Sequence, residues 1–323
     1  DTQDPFLFCV HHEDFYPAGN ERMGPEASLE GRNMGQDFTI KDGWRMYHGT
    51  EVPGFPAHPH RGFETVTVVE RGLVDHADSL GPTGRFGNGD VQWMTAGRGV
   101  LHSEMFPLRN TSEDNPFELF QIWLNLPRNK KFAEPHYTML WHEDIPVVES
   151  VDKNGQKTTV KVVAGNYKGT NALDPTPDSW AHDADHDVAI WKLTLEPGAV
   201  YTLPATKAEA NRALYFFRGD SINIGEKSID EHAALYVHAD TDIEITNGAE
   251  TSQILLLQGV PINEPVAKYG PFVMNEQAEI HQAMQDYQRT EFGGWPWPKH
   301  DFVHPREAGR FAQHADGVKE LKD

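Results

Sequence analysis

Between Phe63 and Trp123 apolar and polar positions alternate in short runs, TVTVVERG, LVDHADS, VQWMTAGRG and FELFQIWLNLP, separated by turn residues such as those of LGPTGRFGNGD. A period of two over five to eight residues turns one face of each run inward, so the pattern predicts short antiparallel strands of a sandwich or barrel. The stretch LPRNKKFAEPHYTML, Leu126 to Leu140, is polar and broken by prolines, as an interdomain connection would be. Strand patterns then resume in TTVKVVAG, DVAIWKLTLEPGAVYTL, RALYFFRGDSINIG, AALYVHADTDIEITNG and SQILLLQGVP. The two halves match in order and length: an apolar strand pair, a glycine turn (VERG at Val69–Gly72, FRGD at Phe217–Asp220), a second turn and a closing apolar strand. A duplicated barrel explains this most simply.

Beyond Pro265 the period changes. Ile280, Met284 and Tyr287 fall at helical spacing within NEQAEIHQAMQDYQRTEFGG, which predicts one amphipathic helix stopped by the double glycine. The proline-punctuated remainder reads as a surface-wrapping tail with a short closing helix. The expected organisation is an N-terminal barrel over 1–135, a second barrel over 136–265 and a helical extension over 266–323.

Composition narrows the classes of function. Of 323 residues, 28 are Lys or Arg and 49 are Asp or Glu, a formal charge of −21. No basic stripe is available for phosphates, which argues against direct binding of nucleic acid or an anionic membrane. Cys9 is the one cysteine, so no internal disulfide or thiolate metal cluster forms, and a reducing, cytoplasmic setting is the simpler expectation. No apolar run approaches the ~20 residues that span a bilayer. The opening DTQDPFLFCV lacks the basic n-region of a signal peptide, and the chain does not begin with Met. A monomer is expected, since two barrels in one chain can cover each other's faces.

The candidate chemistry lies in two segments. FPAHPHRGFETVTVVERG carries His58 and His60 two apart, and TAGRGVLHSEM carries His102 and Glu104 at the same spacing. Residues two apart on a strand share a face, so each pair can converge on one ion. Three imidazoles and a carboxylate suit a borderline divalent ion, Fe(II), Mn, Co, Ni or Zn, and four protein groups leave two positions of six open. By strict alternation Glu64 also falls on the His58/His60 face, so parity alone does not choose between the two carboxylates, although a bulge at Arg61–Gly62 would break that parity. Glu104 is preferred as the ligand, with Glu64 orienting an imidazole through a hydrogen bond. The other histidines, His76 and His304 among them, read as residues of polar surroundings without converging partners. Asp75 and Asp78 read as turn and strand-end residues, and Phe55, Phe63 and Trp93 as barrel aromatics that could line an apolar pocket.

HPHRGFETVTVVERG with GDVQWMTAGRGVLHSE resembles the pirin family, a branch of the cupin superfamily, and FQIWLNLP and GPFVMNEQAEIHQA resemble its later segments. The likeness covers most of residues 5–295. It implies an all-β bicupin, two antiparallel double-stranded β-helix barrels facing each other, with a short C-terminal helix and tail. It also implies an iron site in the N-terminal barrel alone, with ligands His58, His60, His102 and Glu104. The second half carries PATKAEANRA where the first has its histidine pair. Two activities are implied. One is quercetin 2,3-dioxygenase chemistry, in which a flavonol-like substrate is opened by O2 with loss of carbon monoxide, with Glu104, or else Glu64, taking the hydroxyl proton. The other is an iron-dependent, redox-sensing regulator that binds a transcription factor or metabolic enzyme without turnover.

Overall fold

The computed structural model describes residues 1–322; Asp323, the last residue of the expected extension, lies outside them. The chain divides into two compact units, one of Cys9–His142 with the chain from Glu264 onward, the other of Asp1–Phe8 with Glu143–Asn263. Each is an antiparallel β-barrel, and the architecture is the bicupin that the resemblance implies.

Nine strands lead the first unit: β1 (Phe6–Tyr16), β2 (Gly54–His60), β3 (Phe63–Arg71), β4 (Leu73–Asp78), β5 (Thr83–Gly87), β6 (Val91–Thr95), β7 (Val100–Met105), β8 (Asn115–Asn125) and β9 (His136–Leu140). One sheet runs β1-β8-β3-β6-β9; the other runs β2-β7-β4-β5 and continues through the short strands Phe311–Gln313 and Lys319–Leu321. The alternation in TVTVV becomes the central strand β3, paired antiparallel with β6 and β8, so that Val66 lies opposite both Trp93 and Ile122. Between the sheets Val69, Met94, Leu119, Val74, Phe86 and Phe106 meet in one core. Full burial of each such side chain contributes about 1.5–3 kcal/mol.

The chain crosses from one sheet to the other between His60 and Phe63. Gly62 takes φ +87°, and a Cβ there would meet the Val273 carbonyl oxygen at 1.9 Å, so the crossing requires glycine. Arg61 N donates to Pro271 O and Val273 N donates back to Arg61 O, which fixes the turn from outside. Two expectations are corrected. His136–Leu140 is no connection but β9, paired along β6. The expected closing helix is instead the outer strand of a hairpin, Phe311–Gln313 against Lys319–Leu321.

The predicted helix is present as α1 (Gln277–Thr290), with Ile280 and Ala283 buried and Met284 and Tyr287 packed on Phe272, Met274 and Phe292. Glu279 Oε2 accepts from the Glu276 and Asn275 amides and closes its first turn. The second unit pairs a six-stranded sheet, Val147–Val151 to Ala233–Tyr236, with a four-stranded one containing Val200–Leu203 and Ile243–Asn247. Its interior is filled by apolar side chains including Trp191, Leu193, Tyr201, Leu214, Phe216 and Ile254. Among the described residues no helix is long and apolar enough to cross a membrane.

Candidate metal centre

Strands β2 and β7 bring the two sequence pairs together. Their antiparallel register places His58 opposite His102 and Phe55 opposite Glu104, with an irregularity between Phe55 and His58. His58 and His60 share one face of β2 by the two-residue period, and His102 and Glu104 share a face of the neighbouring β7, the same face of the sheet because His58 pairs with His102. Ring centroids stand 4.5 Å apart for His58 and His102, 4.8 Å for His58 and His60, and 4.9 Å for His60 and His102. One nitrogen from each ring lies within 4.8 Å of the other two. Glu104 Oε2 is 3.9 Å from His102 Nε2.

The polar atoms of this group are left without ordinary partners. Both ring nitrogens of His102 and Nδ1 of His60 are buried with no hydrogen bond. Leaving a buried donor or acceptor unmade costs about 1–3 kcal/mol, so unpartnered nitrogens on rings that each bring one ligand atom to a shared point suit an ion placed there. His58 Nδ1 is held by the Pro56 carbonyl at 2.9 Å, which leaves Nε2 for the centre. The residues therefore fit a divalent metal.

Electrostatics agree with that fit. Burial pushes His58 down to about 4, the Pro56 carbonyl opposing it. Burial, then the neighbouring imidazoles, hold His60 and His102 well below the usual histidine range. All three are therefore neutral near pH 7, the state in which an imidazole binds a metal without releasing a proton. Burial raises the Glu104 carboxyl, against the opposing effects of His76 and of hydrogen bonds from Thr67 and Gln121.

A pH dependence follows for the metal-free protein. Folded-state values below the unfolded histidine value mean that the unfolded chain binds more protons, so stability present above about pH 6.5 is lost as pH falls toward 4. Each such histidine contributes a slope of up to about 1.4 kcal/mol per pH unit in that window. His12, pushed to about 3 chiefly by burial, acts in the same direction, and Glu104 opposes. The urea midpoint of chelator-treated protein is expected to drop clearly between pH 7 and pH 5. A flat profile would show that these imidazoles are not buried in neutral form.

Glu64 lies elsewhere than strict alternation implies. The strand does not run on from His60, because the crossing at Arg61–Gly62 carries Glu64 onto β3 in the other sheet, a larger break than a bulge. Its Oε1 accepts from Thr95 Oγ1 at 2.8 Å and Trp93 Nε1 at 3.2 Å. Around Glu104, the Thr67 hydroxyl stands 3.1 Å from Oε1 and 2.8 Å from Gln121 Oε1, while Gln121 Nε2 donates to Glu104 Oε2 at 3.0 Å.

His76 is a second correction. It is fully buried on β4 directly opposite Glu104, with its ring 5.5 Å from His102 and Nε2 3.0 Å from Asp78 Oδ2. The signal was present in the sequence, because His76-Ala-Asp78 repeats the spacing of His102-Ser-Glu104. Asp78 does end its strand as expected, but Asp75 is buried within β4 and clamps Arg85. His304 is buried too, 2.9 Å from Thr83 Oγ1. Of the aromatics, Phe63 and Phe55 pack near His60 and His58, and Trp93 is core. Trp123, which the sequence reading passed over, packs edge-on to His60 with centroids 5.5 Å apart.

Comparison with known proteins matches residues 19–124 to the family model described as Pirin and residues 190–293 to the Pirin C-terminal cupin domain. A Pseudomonas aeruginosa protein named "Putative quercetin 2,3-dioxygenase" is 38% identical over 242 residues, covering 74% of this chain and 79% of its own. Human pirin is 35% identical over 255 residues, 76% of this chain and 80% of its own. Among solved structures, a quercetin 2,3-dioxygenase from Acinetobacter baumannii superposes with a TM-score of 0.67 at 29% identity, over 91% of this chain and 99% of that one.

Proposed function

Since this chain belongs to the pirin family, we propose that it is a mononuclear metal dioxygenase of quercetinase type, opening a flavonol-like substrate with O2. Family membership alone leaves activity open. The observation that supports this reading is the convergence of three neutral imidazoles, two of them buried with nitrogens that lack other partners, with Glu104 beside them.

In this reading His58, His60, His102 and Glu104 hold the ion, Fe(II) in first place; Mn, Co, Ni and Zn suit the same donors. When bound, the ion supplies Lewis acidity and a template for the adjacent hydroxyl and carbonyl oxygens of the substrate. Glu104 receives the flavonol hydroxyl proton, a role favoured by a carboxyl that burial already raises. Thr67 and Gln121 keep its two oxygens oriented while the proton arrives. Phe55, Phe63 and Trp123 form the apolar surround of His58 and His60, which suits a flat aromatic substrate and excludes water.

The test is oxygen uptake by protein reconstituted anaerobically with Fe(II) and given quercetin, beside a His58→Ala control. Uptake with carbon monoxide release, absent from the control, is the expected result. Full metal occupancy without uptake would overturn the dioxygenase reading for this substrate and favour a metal-dependent regulator that binds a protein partner. The two carboxylates separate by mutation. Losing a group that only orients a ligand costs about 10–100-fold in metal affinity, so Glu64→Gln, whose carboxylate bonds Thr95 and Trp93 on the other sheet, is expected to cost no more than that and Glu104→Gln more. Metal titration showing the reverse order would exchange their roles.

A further inference from the structure

Away from the histidines, the first unit holds a cleft of about 660 Å3 whose lining includes Arg71, Arg109, Arg306, Asn88, Asn110 and Asn115. On a chain with a net charge of −21, three guanidiniums around one hollow call for a reason. Structural ion pairing accounts for one of them. Arg71 is neutralised by Glu13 at 2.6 Å and Glu118 at 3.0 Å.

The other two lack acids. Arg306 donates to backbone carbonyls alone, those of Leu108, Arg109 and Asn20. Arg109 makes no side-chain hydrogen bond or ion pair among the described residues. The acid whose charge it feels, Asp75, is committed to Arg85 through two bonds of 2.6 and 2.8 Å. Burial and the like charges of Arg85 and Arg306 depress Arg109 below the usual arginine range. The lining contains a single carboxylate, the exposed Glu307. A half-buried guanidinium facing other guanidiniums is an arrangement that an anion would relieve.

We propose that this cleft is a second binding site, for a small organic anion whose phosphate or carboxylate oxygens take the planar fork of Arg109 and the charge of Arg306. Its volume lies in the range of metabolite pockets, and Leu73 and Pro116 offer the body of such a ligand an apolar wall. The site shares no residue with the histidine cluster. Arg306 comes from the extension beyond residue 293, where the family match ends, so the cleft is completed by a part of the chain outside the matched spans.

The test is calorimetric titration of the metal-loaded full chain at low ionic strength with inorganic phosphate and, separately, succinate, on the wild type and on Arg109→Gln. Binding of at least one probe is expected, weakened about tenfold or more by the substitution. Tighter phosphate identifies a phosphoryl ligand, and tighter succinate a carboxylate. Heat arising at the metal would be equal in both proteins. Because Arg109 has no partner to lose, the variant should melt at or above the wild-type temperature. The proposal is overturned if neither probe binds below roughly 10 mM, if Arg109→Gln binds as the wild type does, or if it melts several degrees lower, which would mark Arg109 as a structural group.

Discussion

Replacing His102 by alanine is expected to strip the protein of its metal while leaving it folded. His102 is fully buried on β7, between β2 and β4, and contributes no hydrogen bond from either ring nitrogen. Its removal therefore deletes no bond on which the fold depends, and it relieves two unsatisfied polar atoms at the cost of a small cavity. Metal affinity should respond in the opposite way. Even groups that merely orient a ligand are worth about 10–100-fold, so losing one of four donors should bring metal content after gel filtration to background. Elemental analysis and a circular dichroism melt on the same sample give both readings. Wild-type metal content in a folded variant would remove His102 from the ligand set and the proposed activity with it.

The largest effect on stability is expected from Asp75→Ala. Arg85 and Asp75 are each completely buried and joined by two charged hydrogen bonds, and Arg85 also donates to the carbonyls of His304, Pro305 and Ala308. Asp75 Oδ2 accepts the His304 amide as well. Removing the carboxylate leaves a guanidinium in the interior with carbonyls alone, a change that costs about 3–5 kcal/mol in buried pairs. Urea denaturation should show a correspondingly lower midpoint. Asp75→Leu combined with Arg85→Met should recover much of the loss, because apolar packing often replaces a buried pair without penalty. A cost under about 1 kcal/mol for the single change would indicate a pair that water reaches.

How legible these features were depends on how local they are. The alternation from Phe63 onward and the helical spacing of Ile280, Met284 and Tyr287 each live within one element, and they appear as strands and helix; the repeat of the two halves is legible because it needs only the order of such local patterns. The convergence of His58, His60 and His102 followed from two local pairs that share a spacing. The position of Glu64 did not, because parity holds only along an unbroken strand and Gly62 turns the chain into the other sheet. His76 and Arg109 were missed for a related reason. For His76 the sequence offers only a spacing, His76-Ala-Asp78, that repeats His102-Ser-Glu104; what it and Arg109 face is set by a neighbouring strand or by the tail, and LVDHADS and FPLRN do not state that. Lys319–Leu321 is composed of helix-forming residues, yet pairing with Phe311–Gln313 decides its conformation, as tertiary context commonly overrides propensity.

That hairpin also determines how the barrel meets other chains. Without it the second sheet would end at β5, five residues long and buried throughout, with one row of amides and carbonyls unpaired. Such a row is a template on which a foreign strand can add and assemblies can grow. Phe311–Gln313 occupies it, and the rim moves outward to a three-residue strand bearing Lys319 and Glu320, too short and too charged to recruit another. The tail is thus a built-in stopper for this edge of the sheet.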